Sequence, residues 1–216
     1  MKHVLIIGAN GKIGRILSRK LKDSPDFYPV AFIRNPEQKA FFDEEGIKNR
    51  VGSIEGGTDE IAKVMHDIDA IVFTAGSGAG TGHDKTLTVD LDGAVKTMEA
   101  AKKTHVKRFV MVSALNADKR EYWGASGIEP YYVAKHYADF VLKTTGLDYT
   151  ILRPGMLLDS AGNGKINVSY PEKEEGVPRE DVAEVIAEVL KQDSTIGKTI
   201  EFNQGKTPVG KALTQV

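Results

Sequence analysis

Cysteine is absent from the 216-residue chain. That excludes disulfides, thiolate nucleophiles and Cys-ligated zinc or iron–sulfur clusters together, and it fits a reducing compartment. An excess of charge of one sign is also missing: 29 Lys and Arg balance 30 Asp and Glu, for a net charge of −1. Such a balance provides no basic field to recruit nucleic acid or an anionic lipid surface. Long apolar runs are lacking as well. No segment approaches the ~20 apolar residues of a membrane span. The run at residues 4–7 is too short for a secretory signal and leads straight into glycine. These absences predict a soluble, cytoplasmic protein. With 41% hydrophobic and 27% charged residues, the chain can bury a sizeable core, and 1–216 is expected to form a single domain.

Short apolar runs at residues 3–7, 28–33, 70–73, 108–112 and 149–152 are rich in Val, Ile or Phe. Several are apolar throughout, as in strands covered on both faces. Between them, residues 14–21, 61–65, 91–103 and 132–142 carry helix-like apolar spacing, and a weaker strand is expected at 47–51. This alternation predicts an α/β fold, a Rossmann-like doubly wound parallel sheet flanked by helices. After Pro154 the pattern loosens, and residues 155–178 form a small irregular segment on the substrate side with one short strand at 166–170. Regularity returns with a helix over 178–190, a strand at 199–202 and a short helix near 209–213.

The strongest local signal is Gly8-Ala9-Asn10-Gly11-Lys12-Ile13-Gly14, which follows an apolar strand and opens a helical stretch. One glycine permits the tight turn, another lets backbone approach a pyrophosphate, and the last allows close helix–strand packing. N–H groups at the helix start then face the anion. At the end of the second strand an NAD site usually places Asp or Glu; this chain has Arg34, with Lys12 and Lys39 expected nearby. A guanidinium grips a 2′-phosphate with two charged hydrogen bonds, so NADP (NADPH) is favoured over NAD.

With these and later motifs, the sequence resembles the short-chain dehydrogenase/reductase superfamily, and within it the atypical branch of NAD(P)-binding sugar-epimerase-like (NAD-dependent epimerase/dehydratase-like) proteins. The motifs are the glycine turn, Phe73-Thr74-Ala75-Gly76-Ser77, Asp90-Leu91-Asp92-Gly93, Val112-Ser113-Ala114, Tyr131-Tyr132-Val133-Ala134-Lys135 and Arg153-Pro154-Gly155. The resemblance implies that Gly8, Asn10, Gly11, Lys12, Ile13, Gly14, Arg34, Ser53, Ile54, Thr74, Ala75, Gly76, Lys135 and Pro154 bind the cofactor. It implies a catalytic set of Ser113, Tyr131, Lys135 and Asp90. Two positions depart from the family pattern. Asp90 stands where asparagine is usual, and Ser53 where an aspartate often lies beside the adenine.

The chemistry of that set follows from the residue types. Four residues apart on a helix, Tyr131 and Lys135 share a face. A tyrosine of pKa about 10 is a poor base at neutral pH, and a nearby ammonium is expected to favour its phenolate. Lys135 is also placed to hold the nicotinamide ribose, and Ser113 to hydrogen-bond the reacting oxygen. Asp90, Asp92, Asp67 and Asp69 read as helix and loop charges, and the five histidines show no ligand spacing, so no metal is expected. His136 is expected to point away from Lys135.

The leading expectation is an NADP-dependent oxidoreductase acting on a small carbonyl or alcohol, with epimerase-like chemistry open to the same machinery. The alternatives are an NADP-binding regulatory or redox-sensing protein without dedicated turnover, and a flavin- or quinone-reductase-like enzyme. The partner is a small-molecule substrate, with no nucleic acid or membrane, and the chain is a monomer or homodimer. Its substrate cleft is expected between irregular segments 114–130 and 155–177, with Tyr122, Trp123 and Met156 as bulky contacts.

Overall fold

The computed structural model describes residues 1–78, 80–168 and 176–216. Its first half alternates β1 (Lys2–Ile7), α1 (Lys12–Lys22), β2 (Phe27–Ile33), α2 (Lys39–Glu44), β3 (Lys48–Val51), α3 (Thr58–Lys63) and β4 (Ala70–Phe73). A short α4 (His83–Lys85) leads through a π-helical turn, Thr86–Asp92, into α5 (Gly93–Lys103) and β5 (Arg108–Val112). Then come α6 (Arg120–Ser126), α7 (Glu129–Thr144) and β6 (Asp148–Pro154). The C-terminal part holds β7 (Leu157–Leu158), β8 (Lys165–Asn167), β9 (Val177–Pro178), α8 (Arg179–Val189), β10 (Lys198–Gln204), β11 (Thr207–Pro208) and α9 (Val209–Ala212).

The main sheet has the order β11-β8-β10-β6-β5-β4-β1-β2-β3. The seven strands from β10 to β3 are parallel, while β8 runs antiparallel to both β10 and β11. The doubly wound reading is thus met, with an antiparallel edge added. Pleating explains the continuous apolar runs. Val4 and Ile6 face a core shared with Leu17 and Leu21 of α1 and Val182 and Ile186 of α8. Leu5 and Ile7 face the opposite core, with Ile61 of α3, Met98 of α5 and Leu142 of α7. Each strand residue therefore lands under one helical layer or the other, and each large apolar side chain buried this way contributes about 1.5–3 kcal/mol.

Three expectations need correction. Residues 120–126 are helical, not irregular, and Trp123 is only 5% exposed. Its ring packs on His136 at 5.1 Å, so Trp123 anchors α6 to α7 instead of facing a cleft. The segment 155–178 carries two-residue strands β7 and β9, which pair with each other. The strand expected at 166–170 is Lys165–Asn167; Ser169 and Tyr170 lie outside the described residues.

Candidate cofactor cleft and catalytic cluster

The strand order reverses between β1 and β4, where an open α/β sheet forms its binding crevice. The glycine turn lies there. Gly8 has φ of +86°, and a Cβ on it would lie 2.6 Å from the Ala75 nitrogen. Only glycine lets the ends of β1 and β4 approach so closely. Gly11 donates its N–H to the Gly8 carbonyl at 2.9 Å and precedes α1 directly. A Cβ on Gly14 would lie 2.6 Å from the Ala9 Cα, so Gly14 serves the close packing of helix against turn. The first turn of α1 also offers backbone N–H groups that a helix cannot satisfy internally.

A cavity of ≈ 480 Å³ opens beside this turn. Of the residues expected to bind cofactor, Gly8, Asn10, Gly11, Arg34, Ser53, Ile54, Thr74, Ala75 and Gly76 line it together. Lys12, Ile13, Gly14, Lys135 and Pro154 are not on its wall. The Lys12 ammonium instead pairs with Asp159 at 2.6 Å, and Arg179 meets the same carboxylate at 2.6 Å. Lys39 is exposed and off the wall too. The cation that does join Arg34 at this cavity is Lys85, with Glu55 between them. Sequence reasoning missed both, since they are thirty positions apart with no shared motif. It also missed Gln38, whose side-chain oxygen accepts the N–H groups of Arg34 and Asn35 at 3.0 and 3.1 Å and so shapes the turn that presents Arg34.

The candidate catalytic residues converge at the ends of β5 and β6. Ser113 follows β5, and its N–H donates to the Leu152 carbonyl at 2.7 Å. Tyr131 and Lys135 lie one turn apart on α7, with the ammonium 5.5 Å from the Tyr131 ring centre. Lys135 also donates toward the Val112 carbonyl at 3.4 Å. Tyr132 packs edge-on between Tyr131 and Tyr122. The His136 ring is 3.1 Å from the Ala117 carbonyl and turned away from Lys135.

Asp90 is not a solvated helix charge. It is 1% exposed, and its Oδ1 lies 3.1 Å from Lys135 Nζ. Its Oδ2 accepts the Ser77 N–H at 2.9 Å, tying Lys135 through Asp90 to the loop beside the cavity. The π-helical turn delivers Asp90 to this position; such turns recur at functional sites. A second buried acid was missed. Asp139 continues the four-residue spacing of Tyr131 and Lys135 along α7, a signal present in the sequence. It faces Ser113 and accepts from Arg153 Nε at 3.0 Å. Arg153 also reaches Asp118 at 2.9 Å and Glu201 at 3.1 Å.

The expected pull of Lys135 on Tyr131 is present but outweighed. Burial pushes the Tyr131 phenol above the ordinary tyrosine value; Lys135 opposes that shift, while Asp90 and Asp139 reinforce it. Tyr131 is therefore held as a phenol across the neutral range. Burial pulls Lys135 down, but Tyr131 and Asp90 outweigh it and leave the lysine raised and cationic. Asp139 is raised by burial, against the pull of Arg153 and Ser113.

Relatives carry the same plan. Residues 8–193 match the NAD(P)H-binding family. A Bacillus subtilis (strain 168) protein named as the uncharacterized sugar epimerase YhfK is 44% identical over 213 residues, 99% of each chain. A solved Bacillus halodurans structure, assigned by name to the NAD-dependent epimerase/dehydratases, is 42% identical with a TM-score of 0.92, covering 100% of both chains. The Lactococcus lactis oxidoreductase ylbE is 34% identical with a TM-score of 0.87, covering 99% of this chain and 96% of its own. With a glycine turn, a cavity at the strand reversal and relatives of matching length, the chain belongs to the NAD(P)H-binding family and is similar to sugar-epimerase-like and NAD-dependent epimerase/dehydratase members of it.

Proposed function

We propose that the protein is an NADP-dependent reductase of small carbonyl compounds. The observation that carries this reading is half-buried Tyr131 gathered with buried Lys135 and Asp90 beside the glycine-turn cavity that Arg34 lines. The residues present fit a dinucleotide. Gly8 leaves room where any side chain would collide, and Arg34 replaces the acid that would hold a free ribose hydroxyl. Gly8, Gly11 and the first turn of α1 would hold the pyrophosphate, Arg34 the 2′-phosphate, and Lys135 the nicotinamide ribose. When bound, the cofactor supplies hydride to a carbonyl carbon.

The chain's own residues manage the oxygen. Ser113 donates a hydrogen bond to the carbonyl oxygen, and Tyr131 transfers its phenolic proton there as negative charge develops. The Lys135 ammonium stabilises the phenolate left behind, and solvent restores the proton. Burial and the two carboxylates raise the Tyr131 phenol against the pull of Lys135, and the protonated form is the one that can donate to the carbonyl oxygen.

The test is consumption of NADPH against a panel of carbonyls, quinones and flavins. Turnover with a carbonyl, faster than with flavins or quinones, supports the reading. Tight NADPH binding with no turnover across the panel would instead mark a cofactor-responsive regulator.

A further inference from the structure

Arg34 closes β2, Glu55 follows β3, and Lys85 ends α4, yet all three line one end of the cavity. Glu55 Oε1 accepts from Lys85 Nζ at 2.5 Å and from the Thr88 hydroxyl at 3.1 Å. Its Oε2 faces Arg34 at 3.8 Å, close enough for attraction but beyond hydrogen-bond length. The Arg34 donor fork is therefore not committed to Glu55. The two cationic side chains are 63% and 43% exposed, while that of Glu55 is 25% exposed. A single carboxylate thus gathers two accessible cations at the point where the cofactor's ribose substituent would lie.

We propose that Lys85 is a second cation of the 2′-phosphate site, and that Glu55 is the counter-charge that sets how strongly this site prefers a phosphate. The inference rests on the NADP reading above. The charge count gives its direction. Arg34, Lys85 and Glu55 together leave one net positive charge. The hydrogen bond from Lys85 holds Glu55 below the usual carboxylate range, so it stays ionised at neutral pH. Neutralising Glu55 leaves two cations for a phosphate carrying ~1.5–2 negative charges. Neutralising Lys85 leaves none in excess. A 2′-hydroxyl, being uncharged, feels either change far less.

The experiment compares adenosine 2′,5′-bisphosphate with adenosine 5′-monophosphate, two probes that differ only by the 2′-phosphate. Binding is followed by titration calorimetry with the wild type, Lys85→Met, Lys85→Arg and Glu55→Gln. The wild type should favour the bisphosphate. Lys85→Met should narrow that ratio about five- to tenfold, Lys85→Arg should largely keep it, and Glu55→Gln should widen it about three- to tenfold. If the wild type discriminates but Lys85→Met and Glu55→Gln retain its ratio, or weaken both probes alike, the Lys85–Glu55 pair only ties α4 to β3. The inference then falls while the NADP reading stands. If the wild type itself binds both probes equally, the NADP reading falls and takes this inference with it.

Discussion

Replacing Asp90 by asparagine removes one negative charge from a site that solvent barely reaches and changes little else in shape. The carbonyl of the amide can still accept the Ser77 N–H that Asp90 now holds at 2.9 Å. What is lost is the partner of Lys135, 3.1 Å away. At an effective dielectric of about 20, charges about 3 Å apart attract by roughly 5 kcal/mol, and desolvation of the pair offsets much of that. Removing only one partner is worse than removing both, because the other charge stays buried; such changes cost about 3–5 kcal/mol. Asp139 still faces Lys135, so the expected loss is near the lower end, about 3 kcal/mol.

The pH dependence of that loss identifies its origin. In the wild type the folded Lys135 pKa lies above the ordinary 10.5. Its stabilisation is fully present below the unfolded value and fades as pH rises through the folded one. In Asp90→Asn one of the partners that raise the lysine is gone, so its folded pKa is drawn down from the wild-type value. The deficit is then full at neutral pH and fades as pH rises through the folded and unfolded lysine values. Urea unfolding at about pH 7 and about pH 10.5 should show a larger deficit at the lower pH. A variant as stable as the wild type at about pH 7 would refute a buried charge pair at this position.

Two further outcomes follow from the cofactor cleft. Gly8→Ala places a Cβ 2.6 Å from the Ala75 nitrogen in a backbone with φ of +86°. It should cost about 1–3 kcal/mol in thermal or urea unfolding and weaken NADPH binding by spreading the ends of β1 and β4; an unchanged midpoint with unchanged affinity would contradict the described turn. Arg34→Glu should lower NADPH affinity at least ~tenfold and NADH affinity far less in parallel titrations, and equal losses would count against a 2′-phosphate contact.

Much of this arrangement is legible in the sequence because it is local. An apolar run such as Val4-Leu5-Ile6-Ile7 can only be satisfied with cover on both faces, and alternate residues indeed enter opposite cores. The glycine turn and the four-residue spacing of Tyr131 and Lys135 are likewise short-range signals. What escaped depends on distant partners. Asp90 enters the catalytic set by resemblance alone; its residue type reads as a helix charge, and its buried pairing with Lys135, forty-five positions on, depends on a π-helical turn. Lys12 was expected beside Arg34, but Asp159 captures it from the C-terminal segment, 147 positions away. Trp123 looked like a cleft residue because its segment is rich in Gly and polar residues; contact with His136 across the α6–α7 junction decides otherwise.

Whether Tyr131 delivers the proton during reduction is read from Tyr131→Phe. The substitution keeps the ring between Lys135 and Tyr132 and removes only the hydroxyl. With a substrate identified by the NADPH panel, the variant's turnover should fall about 10²–10⁴-fold while NADPH affinity, titrated on the same preparation, stays close to that of the wild type. Turnover near the wild-type rate would rule out Tyr131 as the acid and assign the proton to water.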